Sequence, residues 1–315
     1  MILASYKLAI LIVVHNEKHN LDMLFRSLFN QTFKNFRIYL IDNNSSDGSV
    51  EYAVKLNERY LFDLICITLA EDTGYPKGNN IGAEKAINDG FEYLFIINND
   101  IELDVKCIDE LLKLIFAEDK AAVVAPIIYY WNKEKTSNKI QTFGVRVNFY
   151  TQRKRLLAAG LFLESTSLPE IMRVDYVSGA ALLIRSDIVK EYGLFDDSLF
   201  MYNDEIDLGY RLKKAGYYYY VTQHAKMWHN HDWTKKNIKG YKFMYYYMMR
   251  NRFLYYRKYR LHLFLLFDLF SQLFLFPFKI KMFINIGSFS IIKYYYLGIF
   301  RGVIGEKGIA SIDFE

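Results

Sequence analysis

Residues 94 to 100 read Leu-Phe-Ile-Ile-Asn-Asn-Asp, an apolar run that stops on oxygen-bearing side chains. A buried strand ending in this way aims its last carboxylate, Asp100, at the C-terminal edge of a sheet, where open α/β folds bind ligands. Such a group can anchor a divalent cation and, through it, a phosphate. Further along, Asp204 and Glu205 stand side by side just after Phe200-Met201-Tyr202, well placed for proton transfer. The first strand is not followed by Gly-x-Gly-x-x-Gly, and no Gly-x4-Gly-Lys-Ser/Thr occurs. A phosphorylated ligand must therefore be neutralised by other means. Mg2+ or Mn2+ held by Asp100 and one imidazole meets that need. His229 is the imidazole chosen, with His224 and His231 competing for the role. Together these groups suit transfer from a nucleotide diphosphate: the metal takes up charge on the leaving diphosphate while a carboxylate deprotonates the attacking hydroxyl.

The elements that must position these groups follow from periodicity. Leu8 to Val14 is a continuous Ile- and Val-rich run, the pattern of a buried parallel strand, and Leu21, Leu24, Phe25 and Leu28 then recur at helical spacing. The alternation continues with a strand from Phe36 to Ile41, a helix over 49–59, a strand at 64–69, a helix near 78–89 and a strand at 92–97. Short connections between alternating strands and helices predict a doubly wound, mostly parallel α/β sheet, with the strand ends along one rim. Loops 15–18, 42–48 and 98–104 share that rim, where Asp42, Asn43 and Asp100 are the functional candidates. Asp47 or Ser46, and Asp104, are expected to cap the helices that follow them.

Beyond a strand at 121–128 the alternation breaks down. Residues 131–173 read as a flexible, substrate-facing insert with a strand at 140–149. A strand over 176–184 contains Ser178-Gly179-Ala180, and a glycine there marks close approach to the backbone or a bulge. A helix opens at Asp204, its acidic first turn also suited to the helix dipole, and Gly216 ends it. A strand at 217–222 leads to the histidines, and long helices run from 236 onward.

Charge is unevenly spread. Trp233 to Arg260 holds nine Lys or Arg and no acid, so with a formal net charge of +5 overall the remainder carries −4. A basic, aromatic segment on a mildly acidic body suits an anionic membrane surface or an acidic substrate. A packed helical interface, including a homodimer, has the same composition. No aromatic-basic strand motif of the RNA-binding kind is present, so nucleic acid is not an expected partner. Only Cys66 and Cys107 occur, without metal-site or disulfide spacing. No secretory leader pattern opens the sequence. The longest run without Asp, Glu, Lys or Arg is twelve residues, 121–132, against the ~20 needed to span a bilayer. Residues 261–300, with twelve Phe or Tyr, suit a stretch that lies on a membrane without crossing it. The expected location is cytoplasmic, peripheral at the inner face of the cell membrane.

Taken together, several stretches resemble the family 2 glycosyltransferases of the GT-A fold, a Rossmann-like architecture, and especially their rhamnosyltransferase branch. They are Ile12-Val13-Val14-His15-Asn16, Ile41 to Ser49, Gly74 to Gly82 with Gly78-Asn79-Asn80, and Ile97-Asn98-Asn99-Asp100. Val177 to Arg185, Gly193-Leu194-Phe195-Asp196, Asp204 to Arg211 and Arg250-Asn251-Arg252 complete the set. Order and spacing agree across roughly residues 7–255.

The resemblance implies a catalytic nucleotide-sugar domain over 1–232 and a helical C-terminal extension over 233–315. It implies that the 12–16 segment with Val14, His15 and Asn16, together with Asp42, Asn43, Asn79, Asn98, Asn99 and Gly179, serves the donor. Asp100 and His229 would hold the metal; Glu205 matches the catalytic base, with Asp204 its acidic neighbour. The activity implied is an inverting transfer from a nucleotide diphosphate-sugar, dTDP-rhamnose first, to a growing, lipid-linked surface glycan. UDP-galactose or UDP-glucose is the alternative donor, and an inactive scaffold the alternative role. Three departures from the family pattern stand out: the acidic pair runs Asp-Glu, His15 replaces a more usual aromatic, and Asn98-Asn99-Asp100 carries one carboxylate where two are usual.

Overall fold

In the computed structural model, residues 7–132, 137–230, 236–286 and 288–314 are described. The first strand, β1 (Leu8–Val14), shows how the sheet is built. Alternate side chains go to opposite faces: Leu8, Ile10 and Ile12 meet one cluster of the core, Ala9 and Leu11 the other. Both faces are therefore covered, and the run is apolar throughout. Helix α1 (Leu21–Phe29) lays Leu21, Leu24, Phe25 and Leu28 on the first face, whereas α3 (Gly74–Asn88) lays Ala83 and Ala86 on the second.

Strands β2 (Phe36–Asp42), β3 (Asp63–Thr68) and β4 (Tyr93–Ile97) join β1 in parallel, in the order β4-β1-β2-β3, with α2 (Ser49–Tyr60) between β2 and β3. This is the alternating half read from periodicity. The N-cap of α2 is Gly48, without a side-chain cap; Asp47 stands one residue earlier, its Oδ1 accepting from the Ser49 amide at 3.1 Å. Helix α3 begins at Gly74, earlier than periodicity placed it.

The other half is mixed rather than parallel. Strand β5 (Ile101–Leu103) precedes α4 (Cys107–Ala117), and β6 (Ala121–Tyr130) follows. The 98–104 segment is thus partly strand, and α4 starts after Lys106, so Asp104 bonds the Lys106 amide in the preceding turn instead of capping the helix. The region 131–173 contains β7 (Ile140–Thr142), a hairpin of β8 (Val145–Asn148) and β9 (Arg153–Leu156), and β10 (Ile171–Val174). Strand β11 is Ala181–Arg185, shorter than the 176–184 predicted, because Ser178-Gly179-Ala180 forms a turn at the rim. It inserts antiparallel between β4 and β6. After α5 (Ser186–Tyr192) and α6 (Asp204–Lys214), β12 (Tyr218–His229) runs parallel to β6 and antiparallel to β5 and β10.

Four helices complete the chain: α7 (Ile238–Lys258), α8 (His262–Phe274), α9 (Phe276–Ile286) and α10 (Ile291–Ile304). Helices α7 and α10 cross closely because Gly298 has no side chain; a Cβ there would lie 2.4 Å from the Tyr246 carbonyl oxygen. Residues 306–314 then fold back along α7, tied by Arg250 Nη1 to the Gly308 carbonyl at 2.5 Å and by the Ala310 amide to Tyr247 Oη at 2.8 Å. No single helix among the described residues is long and apolar enough to cross a membrane; α8 and α9 have the composition jointly but are bent by 65°.

Candidate active site

Sheet register brings distant residues together. Ile101 pairs with His229 in the β5–β12 ladder, and the Asn230 amide donates to the Asp100 carbonyl at 2.8 Å. The Asp100 side chain therefore lies beside His229, with Oδ1 3.2 Å from Nε2. On its other side, His229 Nδ1 lies 2.9 Å from Gln141 Oε1, a contact that holds the ring in place with Nε2 turned toward Asp100. A carboxylate and an imidazole held this close form a hydrogen-bonded pair, and they are also two residue types that ligate divalent cations. Neighbouring ligands on an octahedral Mg2+ at about 2.1 Å stand about 3 Å apart, so the pair has the spacing a metal requires. Among the described residues, no cluster of three or more His, Cys, Asp or Glu could form a complete cage. The pair suits a metal completed by substrate phosphate and water.

Asp100 and His229 line a cavity of ≈ 560 Å³ with Val13, His15, Asn43, Asn98 and Asn99. His15 Nδ1 donates to the Asn43 carbonyl at 2.7 Å, and Asn43 Nδ2 donates to Asp72 Oδ1 at 2.6 Å. The other proposed donor residues act from behind this wall. Val14 is buried and its carbonyl accepts from the Asn43 amide. Asp42 is buried and accepts from the Ser45 amide at 3.2 Å. Asn16 joins two rim loops through the Ser46 amide at 2.8 Å. Asn79 is fully buried on α3, its Nδ2 donating to the Tyr75 carbonyl. His224 lies elsewhere on β12, exposed and 3.4 Å from Glu170, and His231 is outside the described residues.

Glu205 lines a second cavity of ≈ 430 Å³, with Gln141, Lys154, Leu156, Tyr176 and Ser178, and it is the one carboxylate among the described lining residues. The two cavities share Tyr202. A direct linkage also joins them: Tyr75, in the wall of the first, donates its hydroxyl to the Gly179 carbonyl at 2.7 Å, and the Gly179 amide donates to Glu205 Oε1 at 3.1 Å. A Cβ on residue 179 would lie 3.0 Å from Glu205 Oε1 and 3.1 Å from Tyr75 Oη. The close backbone approach expected at this glycine is that contact.

Asp204 occupies a different environment from its neighbour. It is buried, its Oδ2 has no hydrogen-bond partner, and burial followed by the Glu205 charge pushes its carboxyl well above the usual range. Asp207, the third acid of the turn, is structural: it accepts from Arg211 at 2.8 Å, Lys258 at 2.6 Å and Tyr259 at 2.7 Å. Tyr202 and Asn203 both hold left-handed backbones, φ 68° and 66°. They are retained by Asn251 Nδ2, which donates to the carbonyls of Met201 at 2.7 Å and Tyr202 at 2.9 Å.

Several lining residues were not singled out from the sequence. Asp72 and Tyr75 could have been found, because they follow β3 on the same rim. Lys236 and the 309–314 segment could not, since only the return of the chain over α7 carries that segment to the cavity. Lys154 enters the second cavity from the β8–β9 hairpin; desolvation lowers the proton affinity of its amine while Glu205 acts the other way.

A Rossmann-like parallel half, an antiparallel strand inserted beside it and a carboxylate–imidazole pair at the rim define a GT-A nucleotide-sugar enzyme fold. The model of glycosyl transferase family 2 matches residues 9–175, and the chain belongs to that family. Among its relatives, the N-acetylglucosaminyl-diphospho-decaprenol L-rhamnosyltransferase of Mycobacterium tuberculosis is 24% identical over 249 residues, 71% of this chain and 76% of the relative. The low-salt glycan biosynthesis hexosyltransferase Agl10 of Haloferax volcanii is 23% identical, covering 77% and 74%. GalNAc-T7, solved with UDP, GalNAc and Mn2+, superposes with a TM-score of 0.58 at 19% identity, over 71% of this chain but 43% of that one. Staphylococcus aureus TarS 1-349 gives 0.51 at 14% identity, covering 79% and 65%. The chain is thus a glycosyltransferase whose similarities include the rhamnosyltransferase-like branch, and it spans under two thirds of these solved structures.

Proposed function

We propose that the enzyme transfers a sugar with inversion from a nucleotide diphosphate donor to a hydroxyl of a growing, lipid-linked surface glycan. The observation that carries this reading is the pair of cavities meeting at Tyr202, one lined by Asp100 and His229, the other by Glu205. Val13, His15, Asn43, Asn98 and Asn99 hold the donor. Glu205 takes the proton of the acceptor hydroxyl, whose oxygen attacks the anomeric carbon as the bond to the diphosphate breaks. A divalent cation, Mg2+ or Mn2+ on Asp100 and His229, supplies neutralisation of the departing diphosphate. Among the described lining residues of the acceptor cavity Glu205 is the one carboxylate, which supports a single displacement over a two-step, retaining route.

For the donor we propose dTDP-rhamnose first. The name of the mycobacterial relative supports it, as does the apolar wall of Met201, Phe243, Ile312 and Phe314, which suits a deoxysugar methyl. A UDP-hexose is the alternative, supported by the hexosyltransferase relative and by the UDP-bound GalNAc-T7 structure. A lipid-linked acceptor puts the protein in the cytoplasm, peripheral at the inner membrane face. Release of nucleotide diphosphate from a panel of donors, with and without Mn2+, tests the assignment. Strong release from dTDP-rhamnose is expected; release only from UDP-hexoses would reassign the donor, and none from any donor would favour an inactive scaffold.

A further inference from the structure

Helix α8 is built inside out. Two of its polar residues face the protein: Asp268 and Gln272 are 4% and 8% exposed. Asp268 accepts from Arg252 Nε, from Tyr256 Oη at 3.1 Å and from Gln272 Nε2 at 2.9 Å, while Gln272 Oε1 accepts from Tyr295 Oη at 2.5 Å. Phe264, Leu265 and Leu269 pack against the core, but six further apolar residues face outward at helical spacing: Leu263, Leu266, Phe267, Phe270, Leu273 and Phe274, from 50% to 81% exposed. Past the 65° bend, α9 continues the stripe with Phe278 at 67%. A contiguous patch of this kind marks an interaction site rather than the scattered apolar exposure of an ordinary surface.

We infer that this stripe of α8 and α9 seats the enzyme on the surface of an anionic lipid bilayer. Charge selects lipid over a second copy of the chain. From Trp233 to Gly305 the only acid is Asp268, which is buried, whereas Arg260, Lys281 and Lys293 stand exposed. Two such surfaces pressed together would oppose cation to cation, whereas anionic headgroups complement them. Length selects lying over spanning: α8 has 13 residues, or about 20 Å at 1.5 Å per residue, against a hydrocarbon core of about 30 Å. A bent, outwardly apolar pair with flanking cations belongs in the interfacial plane.

The inner side of α8 also packs on the hairpin that helps wall the Glu205 cavity. Tyr150 stacks on Phe264 of α8, ring centroids 5.4 Å apart, and Arg252 Nη2 donates to the Thr151 carbonyl at 2.9 Å. That turn belongs to the β8–β9 hairpin, which contributes Lys154 and Leu156 to the cavity. A glycan carried on lipid would emerge from the bilayer beside the base. The inference rests on the membrane-side reading of the acceptor, but its test measures binding without sugar transfer, so the two fail separately.

The test is co-sedimentation of the full chain with phosphatidylglycerol/phosphatidylethanolamine vesicles and with phosphatidylcholine vesicles. The wild type is expected to bind the anionic vesicles, and Leu266→Ser/Phe270→Ser/Phe274→Ser to bind on the order of a hundredfold more weakly, with an unchanged circular dichroism melt. Lys281→Glu/Lys293→Glu leaves the stripe intact and should weaken anionic-vesicle binding while leaving any phosphatidylcholine binding in place. Equal binding by the triple variant would overturn the inference, as would failure of the wild type to bind either vesicle. A wild-type dimer by light scattering that the triple variant converts to monomer, without vesicle binding by either, would assign the stripe to a second copy instead.

Discussion

His229 Nε2 lies 3.2 Å from Asp100 Oδ1 because the β5–β12 register sets Ile101 against His229, and Gln141 fixes the far side of the ring. The ring is thereby aimed. Removing such an outer partner typically costs about 10- to 100-fold in metal affinity. Gln141→Leu is therefore expected to raise the Mn2+ concentration needed for half-maximal donor turnover by that factor, and Asp100→Asn to abolish Mn2+ stimulation. A Mn2+ titration of nucleotide diphosphate release checks both; an unchanged half-maximal concentration in Gln141→Leu would remove the imidazole from the metal's shell.

Glu205→Gln keeps the shape of the proposed base and removes its proton affinity. Turnover should fall by roughly 10²- to 10⁴-fold, the usual contribution of a general base. Because Glu205 lines the second cavity and not the first, the donor dissociation constant measured by calorimetry should stay within about twofold, well inside one tenfold step of affinity. Parallel loss of donor binding would count against the division of labour between the cavities.

Gly179→Ala tests the linkage between them. The added carbon would crowd Glu205 Oε1 at 3.0 Å and Tyr75 Oη at 3.1 Å, so one of the two must give way. Small misplacement of reacting groups can cost up to about 100-fold, and a fall in kcat of about 10- to 100-fold is expected with the melting temperature little changed. Steady-state kinetics beside a thermal melt makes the comparison; a kcat equal to wild type would show that the contact does not position the base.

Asp204 sets a pH dependence of stability. Its folded-state carboxyl is raised by burial and by Glu205, whereas in the unfolded chain it titrates near the ordinary ~3.9. Above that pH the unfolded state releases a proton that the folded state retains, so stability falls as pH rises toward the folded value. Asp204→Asn escapes this loss. Its melting temperature should match wild type near pH 4 and exceed it by a few degrees near pH 8; a difference independent of pH would refute the account.

The parallel half of the sheet and the rim it presents were legible in the sequence because the signal there is local. Runs such as Leu8 to Val14 are buried on both faces, and Asp100 ends such a run. The mixed half was legible only in fragments. The turn at Ser178-Gly179-Ala180 looks like strand because it lies inside the apolar run from Tyr176 to Ile184, whereas the pairing with β4 begins only at Ala181. The 131–173 region reads as irregular because β7 to β10 are three or four residues each, too short to show a period. Asn16, Asp42 and Asn79 carry the right residue types, yet the structure uses them to brace the cavity wall. Gln141 and Lys154 had no signal, since their importance comes from chain returning to the sheet.

Two successive non-glycine residues in the left-handed region, Tyr202 and Asn203, cost of order 1–3 kcal/mol each unless their surroundings compensate. The compensation comes from Asn251 on α7, in the helical extension, while the strained pair leads directly into Asp204 and Glu205. Chimaeras that graft another relative's helices onto the sheet-bearing part of this chain would therefore slacken the turn that leads into Glu205, the base proposed above, unless an asparagine is kept at that place.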